Sequence, residues 1–427
     1  MIDLRQLRQD PDAVRAQLAR RLDRGVNAIL DNIQVLDVQR RRLLSRVEAL
    51  KSERNKASEE VARRKRAKES ADDLMADLRR SGDEVRTLDD ELRELESALA
   101  LRSLEVPNLP APECPDGDAS ANTVIRTWGV VPKLDFEARP HWELGERLGI
   151  LDLPRGAKLS GSGFPVLIGL GARLVRALEN FMLDLHTRDH GYVEVAVPLL
   201  LNRASLLGTG QLPKFEEDLY GVERDGLFLL PTAEVPVTNL HRDEILDGAS
   251  LPRGYVASTP CFRREAGAHG KDTRGLIRVH QFDKVELVRF VRPEDGPAEH
   301  QRITAHAEAV LQRLGLPYRV LSLAAGDIGF ASARTFDLEV WAPGVNTWLE
   351  VSSASTFSDF QARRANIRYR SEPGAKPEFV HTLNASGLAF PRTIIALLEN
   401  GQQADGSVQI PEALAPYLGT DRLVPCA

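Results

Sequence analysis

A long, proline-free stretch of heptads near the N terminus constrains the fold of this chain more than any other feature. Residues 36–104 contain no proline and a single glycine. Apolar residues recur with 4-3 spacing in two tracts, Ile29–Val61 and Ala71–Leu99, a pattern that predicts the buried seam of a coiled coil. We expect an antiparallel helical hairpin over about 28–104, with its tip near Arg66–Ser70. Each helix would extend roughly 50 Å at 1.5 Å per residue.

Charge is divided unequally between the two predicted helices. Residues 28–66 carry 11 Lys and Arg against 6 Asp and Glu, whereas residues 67–104 carry 6 against 11. Ion pairs between the helices are one interpretation of this division. A basic surface that binds a phosphate backbone, formed by Arg40–Arg46 and Arg63–Arg66, is another. Both interpretations can hold, because the seam and the outer face use different residues.

A proline-rich stretch at 105–123 marks a domain boundary. It contains four prolines separated by mostly small or polar residues, a composition typical of a linker. The chain of 427 residues is long enough for two or three domains. We predict an N-terminal domain over 1–105, a linker over 106–121 and a second domain over 122–427. The alternating strand-like and helical runs of the second domain indicate an α+β fold.

The remaining composition restricts the environment of the protein. The formal net charge of −6 gives no global basic field, so any nucleic-acid surface must be local. The three cysteines lie far apart in the sequence, which favours a reducing compartment over a disulfide scaffold. We find no apolar secretory segment at the start and no run near the roughly 20 apolar residues of a membrane span. The sequence therefore predicts a cytoplasmic protein without a membrane partner.

Two strand-like runs joined by a glycine-containing loop occupy Tyr255–Val288. In the first run, Arg263 and Glu265 are two residues apart and would share one face of a strand. In the second run, alternation predicts one face with Ile277, Val279, Val285 and Leu287, and another with Arg278, His280, Phe282, Lys284 and Glu286. Arginine forks suit a phosphate and an exposed ring suits a nucleobase. The same periodicity also fits a half-solvated sheet face whose charges only keep it soluble.

The residues of this hairpin are more specific than its periodicity. The segments are Phe262-Arg263-x-Glu265, a loop with Gly267 and Gly270, Thr273-Arg274-Gly275-Leu276, and Arg278-x-His280-Gln281-Phe282. In this order they resemble motif 2 of the class II aminoacyl-tRNA synthetases.

An upstream helix and strand resemble motif 1 of the same class. Leu170–His190 has the pattern of a long amphipathic helix, and Tyr192–Pro198 that of a strand closed by proline. His186 and His190 could form a metal pair, but no third ligand or adjacent glutamate accompanies them, which disfavours zinc. Motif 1 builds the dimer interface in this class, so the resemblance implies a homodimer.

Further segments narrow the resemblance to the bacterial seryl-tRNA synthetase family. The local sequence explains Thr232 and Glu234 better as an N-cap hydroxyl and a first-turn carboxylate. However, Thr-Ala-Glu at this distance before the hairpin is similar to the serine-binding loop of the family. Two more segments, Glu350-Val351-Ser352-Ser353 and FQARRANIRYR over Phe360–Arg370, match the family closely.

Residues 381–400 resemble motif 3. Pro391 suits the first turn of a helix, where its missing N–H is not needed. Arg392 would then lie at a helix N terminus, which favours an anion. In the class, the arginine of motif 3 binds the far phosphate of ATP.

The resemblance covers nearly the whole chain and implies a fold, a reaction and partners. The fold is a six- to seven-stranded antiparallel sheet flanked by helices and preceded by the coiled-coil arm. In the reaction, the serine carboxylate attacks the α-phosphorus of ATP to give seryl-adenylate and pyrophosphate. The 3′-terminal ribose of tRNA(Ser) then accepts the seryl group, and charging of tRNA(Sec) is left open. In the family, the arm binds the long variable arm of the tRNA held by the other subunit.

The resemblance also assigns roles residue by residue. ATP would contact Arg263 (α-phosphate), Arg264, Glu265 (adenine amino group), Val279 (main chain), Phe282 (stacking), Glu350, Val351, Ser352, Ser353 and Arg392 (γ-phosphate). Mg²⁺ would be held with ATP by Glu350 and Ser353. L-Serine would contact Thr232, Ala233, Glu234, Glu286, Asn384 and Ser386. The catalytic groups would be Arg263, Arg392 and Glu350. No protein nucleophile is required, because serine itself supplies the attacking carboxylate.

Two departures and three alternatives accompany this interpretation. The family usually has Ser at the position of Arg264 and Gly at that of Ala385. We expect catalysis to survive at position 264, because its side chain would point to the opposite strand face. One alternative is a synthetase-like ligase that loads an amino acid onto a carrier protein, although such homologues lack the arm and use zinc. The others are a non-catalytic paralogue and a coiled-coil adaptor, which would leave 122–427 without a role.

Overall fold

The computed structural model describes residues 1–266 and 274–426, which form two compact units. One, the arm unit, comprises Ile2–Arg15 and Asp23–Pro107, and the other, the body, comprises Met1, Ala16–Leu22 and the chain from Asn108 onward. No helix within these described ranges is both long enough and apolar enough to cross a membrane.

The helices are α1 (Leu4–Gln9), α2 (Pro11–Ala19), α3 (Val26–Arg66), α4 (Asp72–Leu104), α5 (His141–Arg147), α6 (Leu153–Ser160), α7 (Leu170–Arg188), α8 (Arg203–Thr209), α9 (Glu234–Asn239), α10 (Gly296–Arg313), α11 (Phe360–Ala365), α12 (Phe390–Gly401) and α13 (Ala415–Leu418). The strands are β1 (Thr123–Trp128), β2 (Leu151–Asp152), β3 (Val166–Leu167), β4 (Val193–Glu194), β5 (Leu200–Asn202), β6 (Gly221–Val222), β7 (Leu227–Leu229), β8 (Ile245–Asp247), β9 (Arg253–Phe262), β10 (Gln281–Val291), β11 (Tyr318–Ser322), β12 (Arg334–Ala342), β13 (Thr347–Ser358), β14 (Arg368–Arg370), β15 (Glu378–Phe379), β16 (His381–Ala389), β17 (Val408–Gln409) and β18 (Arg422–Leu423).

The predicted coiled-coil arm is confirmed. Helices α3 and α4 contain 41 and 33 residues, or roughly 60 and 50 Å at 1.5 Å per residue. Several of their buried positions, among them Ile33, Val47, Val85 and Leu88, are predicted seam residues of the heptads, whereas Leu30 is buried outside that seam. The turn between the helices falls at residues 67–71, where the tip was expected.

Opposite charges on the two arm helices meet across the seam. Arg46 bonds to Glu84 at 2.5 Å, Lys51 to Asp89 at 2.8 Å, and Arg40 to Glu96 at 3.4 Å. Solvated pairs of this kind contribute about 0–1 kcal/mol each to stability. They therefore influence how the two helices align more than how stable the hairpin is. Other cations of the basic tracts, including Arg41, Arg42, Lys65 and Arg66, are exposed on the outer surface.

An eight-stranded sheet forms the centre of the body, one or two strands more than the resemblance implied. Its order is β1-β11-β12-β13-β16-β10-β9-β4. Every neighbouring pair is antiparallel except β4 and β9. This architecture confirms the predicted α+β fold with an antiparallel sheet.

The period-2 alternation of β10 assigns its two faces to two different cores. Val285 and Leu287 belong to a large cluster that also contains buried residues of α7, α10 and α12. Val288 and Phe290 belong to a second cluster on the opposite face. The even-numbered face that carries this second cluster also presents Phe282, Lys284 and Glu286, so the strand supplies polar site residues from a rigid, packed element.

The central hairpin is shorter than its periodicity predicted. Strand β9 ends at Phe262 and β10 begins at Gln281, so Arg263, Glu265 and 277–280 lie outside the ladder. Arg263 N–H still donates to the His280 carbonyl at 2.9 Å, but from Arg264 onward the backbone bonds elsewhere. Arg264 N–H donates to the Asp218 carbonyl at 2.9 Å, and Glu265 has a left-handed φ of 51°. Gly267, Gly270 and Thr273 of the predicted loop lie outside the described residues.

The predicted motif 1 helix forms, but its strand is much shorter than expected. Helix α7 ends at Arg188, and of Tyr192–Pro198 only Val193 and Glu194 pair with β9. The Nδ1 atoms of His186 and His190 are 3.0 Å apart, so these side chains contact each other within the packed body.

The proline-rich segment is bonded to the body along its first half. Asn108 N–H donates to the Phe330 carbonyl at 2.9 Å, and its side-chain amide donates to the carbonyls of Ala331 and Phe357, each at 2.9 Å. Arg21 bonds to the Asn108 carbonyl at 2.5 Å and also reaches the carbonyls of Gly329 and Ser332. The loop at 328–332 is thus held at several backbone positions.

Candidate active site

Two adjoining cavities lie over the even-numbered face of β10 and the strands beside it. The inner lobe has a volume of about 380 Å³ and the outer lobe about 460 Å³. Thr232, Glu234, Arg263 and Asn384 line both. The inner lobe is further lined by Val279, Phe282, Lys284, Glu350, Val351, Ser353, Ser386, Pro391 and Arg392. Each lobe falls in the size range of small-molecule sites.

Arg263 lies at the junction of the two lobes. Its guanidinium carbon is 5.3 Å from the centroid of the Phe282 ring, and its Nε donates to the Pro231 carbonyl at 3.2 Å. The contact with the ring orients a planar fork that matches a phosphate. A cation is therefore fixed at the point where ligands of the two lobes would meet.

Glu265 and Arg278 face each other across the exit of β9. Arg278 donates to the Glu265 carboxylate, and both side chains are partly exposed. The pair closes one side of the inner lobe next to Phe282. It provides hydrogen-bonding groups at the edge of a surface on which a flat ring could stack.

Arg392 lies at the opposite wall of the inner lobe, in the first turn of α12. Pro391 precedes it, as the sequence predicted for a helix start. Its Nη1 donates to the Glu350 carbonyl at 2.8 Å, and its Nε donates to the Ile277 carbonyl at 3.2 Å. Arg263 and Arg392 thus line one cavity, with room for a ligand between them.

The rim of the inner lobe carries oxygen ligands suited to Mg²⁺. Glu350 and Ser353 lie on β13, where Ser353 pairs with Asp337 of β12. Asp337 Oδ1 is buried without a hydrogen-bond partner among the described residues. Burial, and then the charge of Glu350, raise the pKa of Asp337. Mg²⁺ usually takes one or two protein carboxylates and completes its shell with phosphates and water, so these residues fit such an ion.

A buried polar cluster lies at the floor shared by the two lobes. Lys284 Nζ donates to Thr232 Oγ1 at 2.8 Å and to the Glu286 carboxylate. Asn384 Nδ2 donates to the other oxygen of Glu286 at 3.1 Å. Glu286 is fully buried, so its charge requires these partners.

Glu234 is the second carboxylate of this cluster. The Thr232 hydroxyl accepts the Glu234 N–H at 3.3 Å, as expected for a helix start, but the side chain turns inward and is only 7% exposed. Gln361 Nε2 donates to Glu234 Oε1 at 2.6 Å. Burial, reinforced by Glu286, raises the pKa of Glu234 to about 7. An exposed first-turn carboxylate would instead be stabilised as an anion.

A buried histidine and glutamate support the inner lobe from behind. His141 Nε2 accepts the Leu276 N–H at 2.9 Å, so Nδ1 carries the proton and donates to Glu399 Oε1 at 2.9 Å. Glu399, on α12, also accepts from the N–H groups of Gly344 and Val345. The segment at Leu276, which leads into β10, is therefore fixed relative to the helix that carries Arg392.

Some of the residues assigned by resemblance lie outside both lobes. Ala233 is fully buried, and Arg264 is exposed with its Nη1 on the Glu217 carbonyl. The Ser352 hydroxyl donates to the Ser386 carbonyl at 2.6 Å, beneath the cavity floor. Glu286 does not line a lobe, but it lies directly below Lys284 and Asn384.

Other residues join the site without having been assigned a role from the sequence. The role of Lys284 could have been found from the alternation Phe282, Lys284, Glu286. Gln361 lies 127 residues from Glu234, and Asp337 reaches Ser353 only through strand pairing. No local signal in the sequence predicts these two contacts.

Comparison with known proteins places this site in a family. A family model described as tRNA synthetase class II core domain (G, H, P, S and T) matches residues 217–401, and one described as seryl-tRNA synthetase N-terminal domain matches residues 1–110. A serine–tRNA ligase of Gemmatimonas aurantiaca is 57% identical over 98% of this chain and 99% of its own.

Solved structures agree with these matches. A seryl-tRNA synthetase of Pyrococcus horikoshii complexed with ATP is 38% identical, with a TM-score of 0.94 over 100% of both chains. A cytoplasmic serine–tRNA ligase of Naegleria fowleri in complex with AMP is 27% identical, with a TM-score of 0.88 over 100% of this chain and 99% of its own.

The antiparallel sheet, with an arginine at the exit of β9 and another at the start of α12, defines a class II aminoacyl-tRNA synthetase. Within that class, the N-terminal domain and full-length relatives identify the branch. The chain belongs to the seryl-tRNA synthetases and is a ligase of that family. These matches support neither the carrier-protein ligase nor the non-catalytic paralogue.

Proposed function

We propose that this chain activates L-serine with ATP in the inner lobe and transfers the seryl group to the 3′ end of tRNA(Ser). The observation that carries the proposal is the buried pair Glu234, which lines the cavity that contains Arg263 and ends at Arg392, and Glu286, which lies directly below that cavity. Two acids suit a substrate ammonium, and two guanidinium groups suit a polyphosphate.

In the first step, an oxygen of the serine carboxylate bonds to the α-phosphorus while the bond to pyrophosphate breaks. Arg263 stabilises the negative charge on the α-phosphate, and Arg392 holds the γ-phosphate at the far wall. Fixed cations in a partly enclosed site stabilise such a transition state without reorganising. Magnesium, bound with ATP by Glu350 and Ser353, would supply further neutralisation of the phosphates.

Adenine binds against Phe282. The ring provides a stacking surface, Glu265 accepts from the adenine amino group, and the Val279 main chain lies alongside. Arg278 orients Glu265 through their ion pair. This arrangement leaves the triphosphate bent between the two arginines.

Serine binds on the polar floor. Thr232, Glu234 and Glu286 receive its ammonium, and Asn384 and Ser386 lie near its hydroxyl. Because Lys284 already contacts Thr232 and Glu286, it shares these partners with the substrate. A site built to bond a hydroxyl rejects the analogue that lacks it by about 10⁴-fold, so alanine is a poor substrate.

The arm binds the tRNA, and the helix and strand that resemble motif 1 bind the second subunit. Exposed cations on α3 form a surface for the phosphates of tRNA(Ser), and tRNA(Sec) offers the same chemistry. Helix α7 and β4 form the interface of a homodimer in which each arm serves the site of the other subunit. We place the reaction in the cytoplasm, where tRNA is charged for translation.

Pyrophosphate exchange into ATP, measured with each of the twenty amino acids, tests the assignment. Exchange that depends on serine supports it. Exchange that depends on another amino acid, or none at all, overturns it. A transfer assay with tRNA(Ser), tRNA(Sec) and a small acyl-carrier protein then separates the acceptors, and transfer only to the carrier would restore the rival ligase.

A further inference from the structure

A buried lysine on the floor of the inner lobe contacts the same groups that the proposed function assigns to the ammonium of serine. Lys284 is 5% exposed, and its ammonium donates to Thr232 Oγ1 at 2.8 Å and pairs with the Glu286 carboxylate. Binding of serine would therefore bring a second ammonium group to these two partners. Like charges in contact at a buried site are strongly unfavourable, so the two ammonium groups compete.

The hydroxyl of Thr232 has no acceptor capacity for a further donor. A hydroxyl oxygen has two lone pairs, and Thr232 Oγ1 accepts from Lys284 and, at 3.3 Å, from the Glu234 N–H. That N–H belongs to the backbone at the start of α9 and cannot turn away, whereas lysine has a flexible four-carbon stem. Serine can therefore bond to Thr232 only if Lys284 releases it.

The spacing of side chains along β10 determines where a released Lys284 can point. Phe282, Lys284 and Glu286 alternate on one face of the strand, so each is roughly 7 Å from the next at about 3.4 Å per residue. Lys284 thus lies between the ring proposed for adenine and an acid proposed for the ammonium. The carboxylate of serine must lie in the same interval, because it has to reach the α-phosphate.

A carboxylate is a better partner for Lys284 than the hydroxyl that it would release. Hydrogen bonds between two ionised groups are roughly twice as strong as those between neutral groups. Lys284 lines the inner lobe together with Arg263, so both cations can face one carboxylate. The displaced lysine therefore exchanges a neutral oxygen for a charged one.

We propose that Lys284 is a serine-binding residue that the substrate displaces: its ammonium leaves Thr232 Oγ1 when serine binds and donates to the serine carboxylate, which it holds beside Arg263. This inference rests on the proposed function. It makes the two ends of the substrate interdependent, because an amine without a carboxylate displaces Lys284 but gives it no new partner. A buried donor left without a partner is unfavourable, so the site selects amino acids over simple amines.

Calorimetric titration without ATP at pH 8 tests the displacement with two ligands. One is L-serine, and the other is serinol, which keeps the ammonium but has a hydroxymethyl group in place of the carboxylate. The parent should bind serinol at least about tenfold more weakly than L-serine, since a bond between charged groups is worth that much. Lys284→Met, which removes the charge, should weaken L-serine about tenfold. It should leave serinol unchanged or bind it more tightly, because the competing ammonium is gone.

The matched control is Lys376→Met, the same substitution at an exposed position that lines neither lobe. It should bind both ligands as the parent does. The melting temperature of each variant reports folding. If Lys284→Met does not fold, Lys284→Gln provides the same comparison, because its amide can donate to Thr232 and Glu286 without a charge. An equal loss of affinity for both ligands would show that Lys284 only maintains the floor of the site, and would overturn the inference.

A structure of the parent with L-serine provides a measurement that needs no variant. We expect Lys284 Nζ within hydrogen-bonding distance of a serine carboxylate oxygen, and the serine ammonium in its place on Thr232. A lysine that stays on Thr232, out of reach of the carboxylate, would overturn the inference and leave the proposed function intact. A parent that neither binds L-serine nor shows serine-dependent exchange would overturn the proposed function as well.

Discussion

Glu234 differs from an ordinary first-turn glutamate in its environment. It is buried beside Glu286, and that burial raises its pKa to about 7. The free site therefore holds a mixture of protonated and ionised Glu234 near neutral pH. A substrate ammonium favours the ionised form, so proton release accompanies serine binding.

This coupling predicts how serine use depends on pH. Below pH 7 Glu234 is increasingly protonated and cannot pair with the ammonium, so kcat/KM for serine in the exchange reaction should fall about tenfold between pH 8 and pH 6. Glu234→Gln should give low values that no longer follow this ionisation. A parent profile that stays flat over the same range would contradict the assignment of Glu234.

Replacing Arg263 should abolish adenylate formation without unfolding the protein. Arg263→Ala removes the cation at the junction of the lobes, and removing one such group costs about 10²- to 10³-fold in rate. The control is Arg264→Ala, because this neighbouring side chain is exposed and bonds to the Glu217 carbonyl. Exchange by Arg263→Ala within tenfold of the parent, with an unchanged melting temperature, would dismiss its proposed role.

At the scale of the elements, Glu399 and His141 connect α12 to the segment that leads into β10. One carboxylate oxygen of Glu399 accepts from His141 and the other from two backbone N–H groups. Gly275 next to Leu276 has a φ of 69°, and a Cβ there would lie 2.2 Å from His141 Nε2. The contact of the 275–276 backbone with His141 thus depends on close backbone approach.

Glu399→Gln should disturb ATP binding more than serine binding. The amide would place N–H donors against donors, leaving buried groups unpaired at a cost of about 1–3 kcal/mol. We expect a lower melting temperature and a KM for ATP raised about tenfold, with the KM for serine nearly unchanged. Glu412→Gln, at an exposed position, is the control. Equal increases in both KM values would argue for general loosening instead.

Some elements could be predicted from the sequence, whereas the position at which β10 begins and several contacts of the site could not. Heptad spacing predicted α3 and α4, because a long run of apolar residues with 4-3 spacing fits a helical coiled coil and not a strand. Alternation predicted which residues of β10 face the site, but not where the strand begins. That point is set by Asp218 and His141, which lie far away in the sequence and bond to the backbone beyond the ladder. Gln361 and Asp337 reach the site through tertiary contacts that leave no local pattern.

At the scale of the whole molecule, we expect the body alone to activate serine and the arm to be needed for charging of tRNA(Ser). Replacing residues 28–104 by a short flexible linker removes the exposed cations of α3 and leaves both lobes. We expect serine-dependent exchange to stay within about threefold of the parent while charging of tRNA(Ser) collapses, since phosphate contacts dominate affinity for nucleic acid. Restoring full-length α3 and α4 with Arg41, Arg42, Lys65 and Arg66 changed to Gln should reproduce the charging defect. Equal loss of both activities in the shortened protein would refute the division.

Arg21 and Asn108 belong to the body, at the two places where its chain continues into the arm unit and returns from it. They bond to each other and to the carbonyls of the 328–332 loop, the same loop that carries Phe330. Arg21→Lys keeps the charge but loses the forked contacts with these carbonyls, and should lower the melting temperature of the protein. The cavity wall that carries Phe330 therefore depends on the two segments through which the chain enters and leaves the arm unit, which makes those segments part of the framework of the site.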